Sequence, residues 1–251
     1  AVAAICADAN EHVPEVFDPI TISVTRIAGH GVPGGDSTYQ HRYYYHPPRD
    51  TGAPVFLFVH GLNLDGRTFL RLESLSRYWT LVAYDLPEQC PKFSGAYDDW
   101  RGIIDDFIEQ LRDTIVAVGG VSFGAGIAQH CAANNPGVDR LVLMSTTMIN
   151  ETPLQRLQSR WMAGWIGSLA DYQIYWLMET LMERNTKKLE GEEREVLEVL
   201  RIKHPAFYRE VALSTGDYDA VADARKVTCP TLMLMGDRDT YFADDQEKVM
   251  R

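Results

Sequence analysis

The sequence runs to 251 residues with 45% hydrophobic and 10% aromatic content, enough to bury the core of one large domain and unlike a disordered or fibrous chain. A formal charge of -11, with its densest basic pair Lys187-Lys188 followed at once by Glu190, Glu192 and Glu193, excludes nucleic acid and anionic membranes as expected partners. No apolar run approaches the roughly 20 residues of a membrane span, and the four cysteines (Cys6, Cys90, Cys131, Cys229) lack the C-x-x-C or nearby histidine that a structural zinc would need.

The chain opens AVAAICADA without a methionine, so its start is expected to lie upstream or to have been processed away. A cytoplasmic location is expected, with export the alternative if these small apolar residues end a signal peptide. Two strands follow, Ile20 to Ile27 and Tyr39 to Tyr45, joined by a loop too short for a crossover helix, which predicts an antiparallel lead-in. That loop, Gly29-His30-Gly31-Val32-Pro33-Gly34, formally matches G-x-G-x-x-G. It is not read as a dinucleotide site, because its glycines lead into another strand and open no helix to hold a pyrophosphate.

The next segments set the fold class. Val55 to Val59, Leu81 to Tyr84, Ile115 to Val118, Leu141 to Met144 and, much later, Leu232 to Met235 are short apolar runs without polar alternation, the pattern of parallel strands covered on both faces. Between the second and third, Trp100, Ile103, Ile104, Phe107, Ile108 and Leu111 fall at helical spacing on one stripe. Strand then helix, repeated, predicts an α/β protein with a mostly parallel, doubly wound sheet. From Met148 to about Thr215 the strand rhythm gives way to helical patterns. Trp161, Met162, Trp165, Ile166 and Leu169 form one stripe, Ile174, Tyr175, Met178, Leu181 and Met182 a second, and a charged helix is expected from Glu192 to Lys203. We read an inserted helical cap over residues 148–215, between a first core part at 1–147 and a second at 216–251. Most of its apolar residues are expected to pack, with Trp161, Trp165 and Tyr175 as candidate lining of a substrate pocket.

One stretch carries chemistry. The strand ending at Val118 runs into Gly119-Gly120-Val121-Ser122-Phe123-Gly124-Ala125-Gly126, and a helix is predicted to continue from there. In G-x-S-x-G the small residues, here Gly120 and Gly124, let the serine sit at the tip of a tight strand-to-helix turn. Ser122 is thereby placed at a helix N-terminus, where developing negative charge is favoured.

With this elbow in place, the chain resembles the α/β-hydrolase superfamily, capped serine hydrolase or esterase type, along nearly its whole length. His60-Gly61-Leu62 matches the family's HG-x turn, which implies an oxyanion-hole N–H from Leu62, with Phe123, next after the nucleophile, as the second donor. Asp85 matches the family's aspartate after the following strand, but Pro87-Glu88-Gln89-Cys90 replaces its usual continuation, so Asp85 is read as structural. Gly236-Asp237-Arg238-Asp239 resembles the acid-bearing strand end, which makes Asp239 the expected triad acid and Asp237 the alternative.

The family order is serine, acid, histidine, yet Thr240 to Arg251 contain no histidine. His130 stands eight residues along the same helix as Ser122, about 12 Å down its axis, and His204 would have to reach from the cap. Two expectations follow: the sequence is a fragment lacking its last strand and histidine loop, or the protein is a non-catalytic relative that binds without turnover. The resemblance implies cleavage of a carboxylic ester or related acyl compound, with an apolar small-molecule substrate and neither metal nor organic cofactor. Carbon-carbon bond hydrolase, lactonase, peptidase, acyltransferase and cofactor-free perhydrolase remain alternatives because they share one constellation.

Overall fold

The computed structural model describes residues 19–26, 37–46, 48, 52–87, 97–111, 115–145, 153–186, 202–218 and 220–236. These form a seven-stranded sheet in the order β1-β2-β4-β3-β5-β6-β7. The strands are β1 (Pro19–Arg26), β2 (Ser37–His46), β3 (Val55–Val59), β4 (Thr80–Asp85), β5 (Ile115–Val121), β6 (Arg140–Met144) and β7 (Thr231–Leu234). Strands β1 and β2 pair antiparallel, as does β2 with β4, while β4, β3, β5, β6 and β7 run parallel. The predicted lead-in hairpin and the five apolar strands are thus present. The glycine-rich loop at 29–34 lies outside the described residues, but the strands on either side of it pair directly.

The uninterrupted apolar character of β3, β4 and β5 follows from their place between two cores. Leu57, Val59, Val82, Tyr84 and Val118 point into the larger one, which they share with α1 (Tyr97–Leu111) and α2 (Phe123–Asn134). Phe56, Phe58, Leu81, Ala83 and Ala117 point to the other side, where a 3-10 helix, Gly66–Arg77, contributes Phe69. The α1 stripe is the one expected: Trp100, Ile103, Ile104 and Phe107 are buried, with Ile108 and Leu111 partly so. Arg101 on α1 then ties this layer to Asp223 of the short helix Ala220–Ala224 at 2.7 Å.

Between β6 and β7 the chain builds α3 (Pro153–Gly167), α4 (Asp171–Thr186) and α5 (Pro205–Asp217). The expected charged helix falls mostly outside the described residues; Ile202, Lys203 and His204 precede α5 without helical structure. On and just after α3 the expected packing stripe is only partly formed, with Ile166 and Leu169 half-buried and Leu169 against the larger core. Leu154, Leu157, Trp161, Met162 and Trp165 are exposed, and the buried residue is Ala163. The reason is close helix approach: a Cβ on Gly216 of α5 would stand 3.2 Å from Ala163 Cβ, so α3 and α5 meet through small residues and the large ones face outward. On α4, Ile174 and Met178 are buried as expected, whereas Tyr175 and Leu181 are exposed.

His41 and Glu210 make stability depend on pH in opposite senses. His41 on β2 is fully buried, with Nδ1 2.6 Å from the Tyr84 hydroxyl, and burial lowers its pKa from 6.5 to about 4. The neutral ring shares one hydrogen bond with the Tyr84 hydroxyl. As pH falls from 6.5 towards 4 the unfolded chain binds a proton that the folded chain does not, so stability is lost over that window, on the order of 3 kcal/mol at its acid end. Glu210 on α5 is raised from 4.5 to about 7 by burial and by the Asp99 carboxylate. There the folded chain holds the extra proton, so stability falls as pH rises from 4.5 to 7. In urea titrations from pH 4 to 8, His41→Gln should flatten the acid limb, and Glu210→Gln should raise the midpoint at pH 7.5. A wild-type profile in either variant would contradict the assignment.

Candidate active site

Strand order locates the site. From β3 the chain crosses through the 3-10 helix to β4 on one side, then returns through α1 to β5 on the other, so β3 and β5 are hydrogen-bonded neighbours that lead away in opposite directions. Crevices form at the carboxyl ends of strands where winding reverses in this way. In this register Val59 stands opposite Gly120, which brings His60-Gly61-Leu62 beside the Val121-Ser122 end of β5.

Ser122 occupies the turn between β5 and α2 with φ 53° and ψ -118°, a left-handed backbone held by a residue other than glycine. Such a conformation costs on the order of 1–3 kcal/mol and persists only where its surroundings impose it. The surroundings are visible. Ser122 N–H donates to Met144 O at 2.9 Å, which extends the β5-β6 ladder into the turn, and Ala125 N–H donates to Ser122 O at 3.0 Å, which starts the helix. A Cβ on Gly124 would overlap the carbonyl oxygens of Val59 and His60, and one on Gly120 would overlap the Gly124 backbone. The hydroxyl makes no capping hydrogen bond to the helix. Phe123 is the first residue of α2, so its N–H lies outside the helix's own hydrogen-bond ladder.

The HG turn is fixed just as firmly. Gly61 lies against the elbow, where an added Cβ would meet Val121 O at 3.0 Å and Ser122 Cβ at 3.2 Å. Its carbonyl accepts from Leu64 N–H at 3.2 Å, closing a β-turn with Leu62 and Asn63 at the centre, and Asn63 takes the left-handed φ of 61° which that turn demands. The fully buried His60 ring stands with Nδ1 2.8 Å from the same carbonyl. Its Nε2 accepts Leu86 N–H at 2.9 Å and lies 3.2 Å from Asp85 Oδ1. Burial, reinforced by Lys203, lowers the His60 pKa despite Asp85, and because Nε2 accepts from Leu86, Nδ1 is the nitrogen left to donate to the Gly61 carbonyl. Because C=O and N–H of a trans peptide point in opposite directions, anchoring the Gly61 carbonyl turns the Leu62 N–H the other way.

Other sequence-derived candidates are placed as follows. Asp85 is buried between His60 and Arg42, whose Nε stands 3.6 Å from Asp85 Oδ2. Asp237 and Asp239 lie outside the described residues, just beyond the end of β7. Trp161, Trp165 and Tyr175 are 72%, 47% and 44% exposed on α3 and α4. None of the described histidines bonds the Ser122 hydroxyl. His41 is held by Tyr84, His60 by the turn, His130 by Asp105 at 3.2 Å and Asn134 at 3.0 Å, and His204 accepts from Ala206 N–H as the cap of α5. His46 faces Glu73 at 3.9 Å. Among the described residues no three His, Cys, Asp or Glu side chains cluster to hold a metal ion, and no helix is long and apolar enough to cross a membrane.

The residue missed from sequence is Tyr208. Its hydroxyl donates to Asn63 Oδ1 and accepts Lys203 N–H at 2.9 Å, bringing α5 onto the HG turn across 145 positions of sequence. No local pattern announces it.

A mostly parallel sheet of this order, with the serine turn and the HG turn side by side at the ends of β3 and β5, is the α/β-hydrolase fold. The alpha/beta hydrolase family model matches residues 56–251, and the chain belongs to that family. Solved structures similar to it include MenH from S. aureus, with a TM-score of 0.68 at 18% identity over 82% of this chain and 84% of that one. The enol-lactonase from Burkholderia xenovorans LB400 aligns with a TM-score of 0.66 at 15% identity over 84% and 83% of the two chains. A thermophilic esterase from Thermogutta terrifontis gives 0.60 at 20% identity over 86% and 80%. At these identities the likeness is one of fold. No curated protein matches the sequence.

Proposed function

We propose that the protein is a serine hydrolase that cleaves a carboxylic ester or related acyl compound through an acyl-enzyme. The observation that carries this reading is the strained Ser122 backbone at the carboxyl ends of β3 and β5, packed against the HG turn. Strain of this kind, imposed by strand pairing and glycine contacts, has no evident structural use beyond presenting the hydroxyl.

In the proposed reaction Ser122 Oγ attacks the acyl carbonyl while its proton passes to a histidine base. The carbonyl oxygen, now negative, is held by the N–H groups of Leu62 and Phe123. Collapse breaks the bond to the alcohol, which leaves with the proton from the histidine, and water then releases the acid by the same steps in reverse order. Asp239 is proposed to orient that histidine by accepting its second N–H. The described histidines are all engaged elsewhere, so the base is assigned outside the described residues. Helices α3 to α5 are proposed as a cap, in keeping with the cap boundaries read from sequence. Aromatic residues there, Trp161, Trp165 and Tyr175, favour an apolar acyl group.

A fluorophosphonate probe tests the reading. The full-length protein should be labelled stoichiometrically, and peptide mass spectrometry should place the adduct on Ser122. Absence of an adduct on Ser122 under conditions that label a control serine hydrolase would instead favour a binding protein on the same fold.

A further inference from the structure

Two consecutive residues of α5 reach the two sides of the proposed oxyanion site. Tyr208, almost completely buried, bonds Asn63, which shares the centre of the HG turn with Leu62. Phe207, also buried, packs edge-on against Trp100 at 5.8 Å, and Trp100 packs edge-on against Phe123 at 5.4 Å. Lys203, buried just before α5, sets its ammonium 5.1 Å from the Phe207 ring centre and donates its backbone N–H to the Tyr208 hydroxyl. That hydroxyl therefore acts as donor and acceptor at once, joining the entry to α5 with the turn.

We infer that Tyr208 is a positioning residue for the oxyanion site, acting through Asn63; the inference rests on the serine hydrolase reading. The turn receives such help at Asn63. Its Gly61 carbonyl is anchored by His60 and Leu64, and Asn63, a residue type suited to the left-handed region, has its side-chain oxygen fixed from outside the turn by Tyr208. The Tyr208 bond holds the Asn63 side chain and so ties the second central residue of the turn, next to Leu62, to α5. Donors aimed at a developing oxyanion contribute only when already in place, so a turn free to relax should bind the substrate as before and react more slowly. Docking of α5 and completion of the oxyanion site are thus one event.

Two variants approach the bond from opposite sides. Tyr208→Phe keeps the ring and removes the hydroxyl; Asn63→Gly keeps the left-handed backbone and removes Oδ1. With a short-chain p-nitrophenyl ester, each should lower kcat about tenfold with KM within about twofold. The rate of fluorophosphonate labelling at Ser122 should fall in parallel. The double variant should be no worse than the poorer single one, because both remove the same bond. A wild-type kcat and labelling rate in Tyr208→Phe, losses that multiply in the double variant, or a rise in KM at constant kcat would overturn the assignment. Should Tyr208→Phe fail to fold, Asn63→Gly with wild-type kcat would overturn it equally. A wild-type protein without a Ser122 adduct overturns the hydrolase reading itself and this inference with it, whereas labelled wild type with unaffected variants overturns only the latter.

Discussion

Ser122→Ala is expected to reduce ester turnover by about 10^4- to 10^6-fold and to abolish fluorophosphonate labelling, with the fold intact. The size follows from covalent catalysis: without Oγ no acyl-enzyme forms, and what remains is binding and the oxyanion donors. Alanine pays nearly the same conformational cost at φ 53° as serine, so thermal stability should hardly change. Ser122→Gly makes a sharper comparison. Glycine adopts this backbone without steric penalty, so the variant should be as inactive as alanine yet more stable by about 1 kcal/mol. Activity in Ser122→Ala above about a hundredth of wild type would mean that another residue attacks.

Gly124→Ala is expected to have the largest effect on stability, a loss of more than about 3 kcal/mol or failure to fold. Its Cβ would overlap the carbonyl oxygens of Val59 and His60, which are backbone atoms at the end of a central strand. Val59 is fixed by pairing with both β4 and β5, so neither oxygen can yield without disrupting the sheet. Gly164→Ala is the control. It lies inside α3 with nothing within 4 Å of an added Cβ, and there alanine should stabilise by about 0.5–1 kcal/mol. Urea titration of the two variants side by side measures the contrast, and equal effects would mean that the elbow is not packed as described.

The parts of the molecule legible in the sequence are those whose cause is local. Val55 to Val59 and Leu81 to Tyr84 read as covered parallel strands because both faces of each are buried, and Trp100 to Leu111 as a helix because one stripe is. Ser122 was legible because the steric demands of its turn fall on neighbours at fixed spacing, Gly120 and Gly124. Where the cause is distant, sequence reasoning fails. The 3-10 helix Gly66–Arg77 is not read from the sequence; it is started by Asp65, whose carboxylate accepts from Arg67 N–H at 2.9 Å and pairs with the Arg67 side chain. On α3 the usual assumption that large apolar residues turn inward is defeated by Gly216, far along the chain, which lets the helices meet at Ala163. Tyr208 reaches Asn63 only because the sheet and α1 bring α5 to that place. Asp239, read from its resemblance alone, lies outside the described residues.

The His60 ring spans the ends of β3 and β4, with one nitrogen on the Gly61 carbonyl and the other on the Leu86 amide. The groundwork of the HG turn is therefore written into adjacent strands of the sheet, and among the described residues the segment between β6 and β7 adds to it the Tyr208 hydroxyl, the charge of Lys203 near His60 and the Phe207 ring against Trp100. On the proposed reading the exposed outer faces of α3 and α4 can be redrawn to suit a different acyl group, whereas Ile174, Met178, Phe207, Tyr208 and Val211 belong to the larger core and have to be kept.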